Sequence, residues 1–256
     1  MLPLFCLRLG FGLLASLLLL TPSQINPRFF RTHFLTALGL AGLALVLLGA
    51  SAGGPVLVSL GVGLLFCFLG SVAWSLEGNP GGRILIVLAT AALGAALVAL
   101  GEAQTRPISP DLRSYAGVWF VSEDLTSAAL LGIALTAMLM GHSYLIAPSM
   151  SLTPLRRLLV GLFAALLARA AVAGIALWFW TDRHSLVNLT SAAVLWLPLR
   201  WGLGLLLPVL LGAMTWQTMR LRNTQSATGI LYIVVVFCFL GELTGQLLLH
   251  ATGYFL

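Results

Sequence analysis

Runs of about twenty apolar residues recur along nearly the whole of this 256-residue chain. A run of that length crosses the hydrocarbon core of a bilayer as one α-helix. Because 60% of the residues are hydrophobic and only 8% are charged, a soluble fold could not cover the apolar surface. We therefore expect a single integral membrane domain with an all-α fold, a polytopic transmembrane bundle of about eight helices.

The apolar runs also predict where the helices lie. They cover residues 3–21, 33–51, 55–76, 83–101, 125–146, 155–180, 189–217 and 228–250. The first run resembles a signal peptide, but its single early charge, Arg8, and the lack of a small-residue cleavage pattern favour a retained helix. The longest connection, 102–124, is rich in acidic residues and is expected to be an external loop that joins the halves 1–101 and 125–256.

The connections hint at an internal repeat. The first reads TPSQINPRFFR and the fifth reads APSMSLTPLRR, at equivalent positions of two four-helix halves. A four-plus-four repeat about an axis along the membrane normal would give such a pattern. Chance is the alternative explanation, because proline and serine are common in any loop.

Arginine placement predicts the orientation in the membrane. The odd-numbered connections carry arginines, whereas the even-numbered ones are neutral or acidic. Positive residues in short loops mark the cytoplasmic side. We expect a multi-pass protein of a bacterial-type inner (cytoplasmic) membrane, with both termini outside the cytoplasm. Since the arginines punctuate apolar segments and form no basic face, nucleic acid is not an expected partner despite the formal charge of +6.

Few residues are suited to hold a metal or a haem. The cysteines, Cys6, Cys67 and Cys238, are isolated, which argues against a cysteine-ligated iron–sulfur cluster, a c-type haem or structural zinc. No metal site and no catalytic residue is predicted, because no metalloprotease, paired-carboxylate or nucleophile-elbow motif occurs. His142 and His250 are the candidate haem ligands, but they fall about a bilayer apart. A b-type haem is therefore disfavoured.

Three ionisable residues, Arg169, Arg200 and Glu242, lie deep inside the last three apolar runs. A charge at the bilayer centre costs about 3 kcal/mol or more, so such residues face a partner, a cavity or a ligand. The helix rise of about 1.5 Å per residue puts all three in the middle third of the membrane, where they can pair. One interpretation is an ion pair that fixes helix packing. The other is a polar pocket for a quinone head group, or one step of a proton path.

Two aromatic residues and a polar stripe extend this pocket hypothesis. Trp196 lies four residues before Arg200 and Trp201 directly after it, so aromatic faces and a cation could together form the wall of a planar-ligand site. Gln246 follows Glu242 by four residues and shares its helix face. The alternative is ordinary interior packing. The residues predicted to line a quinone or polar pocket are Arg169, Trp196, Arg200, Trp201, Glu242 and Gln246.

The C-terminal segment GELTGQ, residues 241–246, followed by an apolar stretch and Gly253, resembles the end of the membrane-anchor subunits of dimethyl sulfoxide reductase. Those anchors and the related polysulfide reductase membrane subunits carry an acidic residue, then glycine and arginine, in their last helix. Gln246 stands here where the arginine would be, and only Glu242 carries over by motif. The resemblance implies a haem-free, quinol-binding anchor of about eight helices that passes electrons to an extrinsic iron–sulfur subunit.

Short connections leave little room for a soluble catalytic domain. We therefore expect an anchor subunit of a larger respiratory or photosynthetic electron-transfer complex, not catalytic alone, that binds a quinone. Its expected partners are the lipid bilayer and other integral and extrinsic redox subunits. Two alternatives stay open: a small secondary transporter with a central charge, and a purely structural assembly subunit.

Overall fold

The computed structural model describes residues 1–49, 53–76, 78, 81–103, 116–147, 149–183 and 191–254. This described part is an all-α bundle, as predicted, with no strand in it. Its helices are α1 (Leu2–Leu17), α2 (Pro27–Leu48), α3 (Gly54–Ala73), α4 (Gly82–Ala103), α5 (Ala116–Ile146), α6 (Thr153–Arg183), α7 (Ser191–Pro198, Leu199–Leu206 and Leu207–Arg220 in succession) and α8 (Thr224–Thr252). Seven of them, α2 to α8, are long and apolar enough to cross a membrane.

Helix α1 is shorter, at 16 residues, and lies inside the bundle. Every residue from Leu4 to Leu17 is buried or half-buried, and the helix packs against α2, α4 and α5. At about 24 Å it does not match the full hydrocarbon thickness. Its environment is therefore set mainly by other helices and little by lipid.

Capping residues explain why two helices begin earlier than their apolar runs. The Asn26 side chain accepts a hydrogen bond from the backbone N–H of Arg28 at 2.9 Å, and Pro27 stands at the first helical position of α2. The Asn223 side chain accepts one from Ser226 at 3.1 Å at the start of α8. The predicted starts at 33 and 228 are therefore several residues late.

A glycine contact fixes α1 against α5. A Cβ atom built on Gly12 would lie 1.9 Å from the carbonyl oxygen of Ala128, and one built on Gly132 would lie 2.0 Å from the carbonyl carbon of Gly12. Only glycine permits this backbone-to-backbone approach. The contact sets Arg8, one helical turn before Gly12, beside the N-terminal part of α5.

The two ends of the bundle differ in charge. Exposed arginines collect at the end where α1 finishes and α2 begins, here called the arginine-rich end; they are Arg28, Arg31, Arg83, Arg156, Arg157, Arg220 and Arg222. The opposite end, called the termini end, holds Met1 and the last turn of α8, and the described acidic residues Glu102 and Asp182 are exposed there. This asymmetry agrees with the loop pattern in the sequence. The side of the membrane that each end faces, and the four-plus-four repeat, stay predictions.

Candidate functional site

Arg169 of α6 lies at the centre of a buried ion network. Its Nε donates to Oε1 of Glu242 at 2.8 Å and its Nη2 donates to Oε2 at 3.0 Å. Its Nη1 and Nη2 also donate to both carboxylate oxygens of Glu123, with Nη2 to Oε1 at 2.6 Å. The guanidinium is 1% exposed, so one cation holds carboxylates from α5 and α8 together in the interior.

Arg200 of α7 is a second cation on the same carboxylate. Its Nη1 donates to Oε1 of Glu242 at 2.8 Å and to the carbonyl of Gly241 at 2.9 Å. The structure therefore brings together all three mid-membrane charges on which the pocket hypothesis depends.

The backbone around Arg200 is a π-helix from Leu199 to Leu206, flanked by Pro198 and Pro208. Proline lacks the N–H that an α-helix needs, and π segments inside helices are frequent at functional sites. A Cβ atom built on Gly204 would lie 2.5 Å from Cα of Gly241, so α7 and α8 touch backbone to backbone. That contact places the Arg200 guanidinium one turn away, against α8.

Arg8 of α1 joins the network from the other side. Its Nε and Nη2 donate to Oδ1 of Asp124 at 2.9 and 2.5 Å, and its Nη1 lies 3.4 Å from the Ser127 hydroxyl. Its Nη2 is also 3.8 Å from Oε1 of Glu123, within ion-pair distance but beyond a hydrogen bond. Arg8 is 1% exposed, so it is buried among the helices with its counter-charges on α5.

Glu123 and Asp124 are the functional candidates that the sequence reasoning missed. It assigns both to the external loop 102–124, but α5 begins at Ala116 and each side chain is 3% exposed inside the bundle. Residues 104–115 of that expected loop lie outside the described part. Two signals were available: the apolar run just before Glu123 continues the helix, and three buried arginines need more than one buried carboxylate.

The six ionised groups form one alternating series, here called the charge chain. In order of contact it consists of Asp124, Arg8, Glu123, Arg169, Glu242 and Arg200. Three positive and three negative charges give a net charge of zero, and the members come from α1, α5, α6, α7 and α8. A buried pair contributes little net stability, but removing one partner leaves an uncompensated charge and costs about 3–5 kcal/mol.

Polar atoms are left over at the edge of the charge chain. Among the described residues, the Nε and Nη2 of Arg200 have no hydrogen-bond partner, and neither does either amide atom of Gln246. Gln246 is only 6% exposed and lies one turn beyond Glu242. Buried polar groups are normally satisfied, so these atoms have unused capacity to bond to a polar ligand or water.

The two predicted tryptophans lie in different surroundings. Trp196 is half-buried and packs in a cluster with Trp180, Leu248 and Tyr254 at the termini end. Trp201 is half-buried against the main core, and its buried indole N–H has no partner within the described residues. Trp196 precedes the π segment and Trp201 lies within it, and the two pack against separate hydrophobic clusters.

The two haem-ligand candidates are exposed and lie at opposite ends of the bundle. His142 stands near the end of α5 at the arginine-rich end, and His250 stands in the last turn of α8 at the termini end. One haem could not receive both imidazoles. Their assignment as low-ranking haem ligands stays a prediction.

His142 does line a groove of about 310 Å³ between the start of α2 and the end of α5, here called the α2–α5 groove. Its deep wall holds His33, whose Nδ1–H donates to the Phe29 carbonyl at 2.8 Å and whose Nε2 lies 3.2 Å from the Thr136 hydroxyl. The remaining lining residues are Ile25, Asn26, Arg28, Thr32, Leu139, Ser143, Ile146, Ala147 and Met150.

No protein-family model, no curated protein and no solved structure matches this chain. Within the described residues, no group of three histidine, cysteine or acidic side chains is arranged to hold a metal ion. The class is defined by the fold and the site alone: a multi-helix membrane bundle with a buried, balanced charge chain and a groove at its arginine-rich end.

Proposed function

We propose that this protein is an integral subunit of a membrane electron-transfer complex and that it binds a quinone in the α2–α5 groove. The observation that carries the proposal is the groove itself, with a volume of about 310 Å³ and polar side chains from both α2 and α5 in its lining. Small-molecule sites have volumes of about 300–1,000 Å³ and are mostly apolar, with a few placed polar groups.

The chemistry of the groove suits a quinone head group. A quinone ring is flat and carries two carbonyl oxygens on opposite edges, so it needs apolar faces and a donor at each edge. Phe29 and Met150 supply apolar surface, Arg28 on α2 supplies a donor on one wall, and the His142 imidazole supplies a donor on the other. Ile146 at the rim is 77% exposed, which leaves a side where an isoprenoid tail could reach lipid.

The electrons would pass between the quinone and a partner. Interconversion of a quinone and a quinol moves two electrons and two protons, and the described residues supply neither a metal cluster nor a reactive thiol pair. An extrinsic redox subunit docked at the arginine-rich end would exchange the electrons with the bound quinone, while water at that end would exchange the protons. The seven exposed arginines offer an acidic partner surface many charge-assisted contacts.

The test is photolabelling in lipid nanodiscs with an azido-quinone that carries a short isoprenoid tail. We expect labelled peptides from 25–33 and 139–150, and a decrease of about tenfold in labelling for His142→Leu, since one lost hydrogen bond to ligand corresponds to about 1.4 kcal/mol. The matched control is His250→Leu, an exposed histidine at the other end. Equal labelling of both variants, or labels only on peptides around Arg169 and Glu242, would refute the groove assignment.

The complex itself has a separate test. Mild solubilisation and affinity purification from the native membrane should yield the chain together with at least one cofactor-bearing redox subunit. Recovery of the chain without any redox partner would contradict the anchor function, even if a quinone is bound.

A small proton-coupled transporter is the second candidate, and the interrupted helix α7 favours it. A charged residue within a π segment at mid-membrane, with unpaired polar atoms beside it, resembles the discontinuous helices of transporters. Substrate-dependent uptake by proteoliposomes of the purified chain would support this candidate. The third alternative, a structural assembly subunit, predicts a stable complex whose turnover is unchanged by His142→Leu.

A further inference from the structure

A second cavity leads from the termini end of the bundle to the charge chain. It has a volume of about 30 Å³ and lies between α1, α5 and α8. Its lining residues are Met1, Leu4, Arg8, Glu123, Gln246, Leu249 and His250. Met1 and His250 are exposed, whereas Arg8 and Glu123 are 1% and 3% exposed. The cavity therefore connects the surface with two buried, oppositely charged groups.

One buried polar side chain at this cavity, Gln246, is not satisfied by the described part of the protein. Gln246 offers two N–H donors and a carbonyl acceptor, and none of them has a partner among the described residues although the side chain is 94% buried. Arg8 Nη2 and Glu123 Oε1 are 3.8 Å apart, a separation that a direct hydrogen bond does not bridge. One water beside this pair, on the cavity side, could bond to both groups and to the Gln246 amide.

The volume of this cavity is large enough to hold a bridging water. A buried water needs about 10–15 Å³ of accessible space and two to four polar partners. The cavity gives room for one or two waters, and three of its seven lining side chains are polar or charged at its inner end. A dry apolar cavity would lack such partners.

On the other side of the charge chain, the interior is closed. Towards the arginine-rich end, α8 continues with Cys238, Val234 and Leu231, each 0% exposed. The Gly204–Gly241 contact seals α7 against α8 at the level of Glu242. Water that reaches Gln246 from the termini end therefore meets apolar packing beyond the charge chain.

We propose that this cavity is a one-sided water port: one or two waters held by Gln246, Arg8 and Glu123, exchanging with the solution at the termini end past His250. The port lets protons and water from that side reach the charge chain, and it is closed to the arginine-rich end. It is independent of the quinone proposal, since it lies at the opposite end from the α2–α5 groove and needs no quinone.

Hydroxyl-radical footprinting by X-ray pulses tests the port, because radicals formed from a bound water oxidise the side chains beside it. In nanodisc-embedded protein we expect Leu4 and Leu249 to be oxidised at least about fivefold faster than Leu248, which neighbours Leu249 but is 0% exposed. In Gln246→Leu, the rates at Leu4 and Leu249 should decrease to that of Leu248.

Two outcomes overturn the port. One is oxidation of Leu4 and Leu249 no faster than that of Leu248 in the unmodified protein. The other is unchanged rates in Gln246→Leu, which would mean that bulk solvent and not a held water reaches them. If Gln246→Leu does not fold, Leu249→Trp, which fills the cavity near its mouth, must abolish the oxidation of Leu4 for the port to stand. Quinone photolabelling is expected to be the same in both variants, so the two proposals can fail separately.

Discussion

Glu242→Gln is the substitution that tests the charge chain most directly. Glutamine keeps the shape of the side chain but removes the charge that Arg169 and Arg200 share, each at 2.8 Å from Oε1. It also puts an N–H₂ donor among guanidinium donors. The charge chain is left with a net charge of +1 in an environment with 0% exposure.

The size of the effect follows from the loss of one partner in a buried ion pair, about 3–5 kcal/mol of the free energy of unfolding. Removing Arg200 as well, in Glu242→Gln/Arg200→Met, returns the remaining four members to a net charge of zero. We therefore expect the double variant to be more stable than the sum of the single effects, with a coupling of about 2–3 kcal/mol.

The assay is equilibrium unfolding by sodium dodecyl sulfate in mixed micelles, followed by the fluorescence of the seven tryptophans. The control is Glu102→Gln, the same chemical change at an exposed position near the end of α4. It should alter the unfolding free energy by less than about 0.5 kcal/mol.

The reasoning is refuted if Glu242→Gln costs less than about 1 kcal/mol, or if the double variant is additive within about 0.5 kcal/mol. Either result would mean that the six groups do not act as a balanced unit. The carboxylate would then be hydrated or held by contacts other than the two arginines.

Two further perturbations test the packing and the surface. Gly204→Ala should destabilise the bundle by about 1–3 kcal/mol, because the new Cβ would lie 2.5 Å from Cα of Gly241. The control is Gly202→Ala, whose new Cβ would have no neighbouring atom within 4 Å. Thermal unfolding measures the stability of both variants. Arg157→Gln removes an exposed hydrogen bond of 2.6 Å to the Thr21 hydroxyl and should cost less than about 1 kcal/mol; a larger loss would show that this contact is stronger than surface pairs usually are.

The fold was largely predictable from the apolar runs. Length and hydrophobicity decide whether a segment crosses a bilayer, and both are local properties of the sequence. Errors concentrate at helix ends, where capping side chains such as Asn26 and Asn223 extend the helix beyond its apolar part. The start of α5 is missed for a related reason. Two adjacent acidic residues, Glu123 and Asp124, are typical of an exposed loop, and only their buried arginine partners explain their place inside a helix.

The candidate site was only half predictable. Depth along a helix places Arg169, Arg200 and Glu242 at one level from sequence alone. The direction in which a side chain points around its helix, and the residues that it meets there, depend on distant parts of the chain. Arg8 contacts Asp124, 116 residues away, because Gly12 lets α1 approach α5. The α2–α5 groove is likewise formed by segments more than a hundred residues apart, and no short motif in the sequence predicts it.

The long sequence separation between Arg8 and Asp124 also constrains how this protein is made. Helix α1 has 16 residues and a central arginine, so it is a poor candidate for stable insertion into lipid by itself. Its counter-charge is synthesised 116 residues later, roughly 6–23 s at typical elongation rates. During that interval α1 must stay near the translocon or the membrane surface. It takes its buried place only after α5 has emerged, so α1 is fixed in the bundle well after it is made.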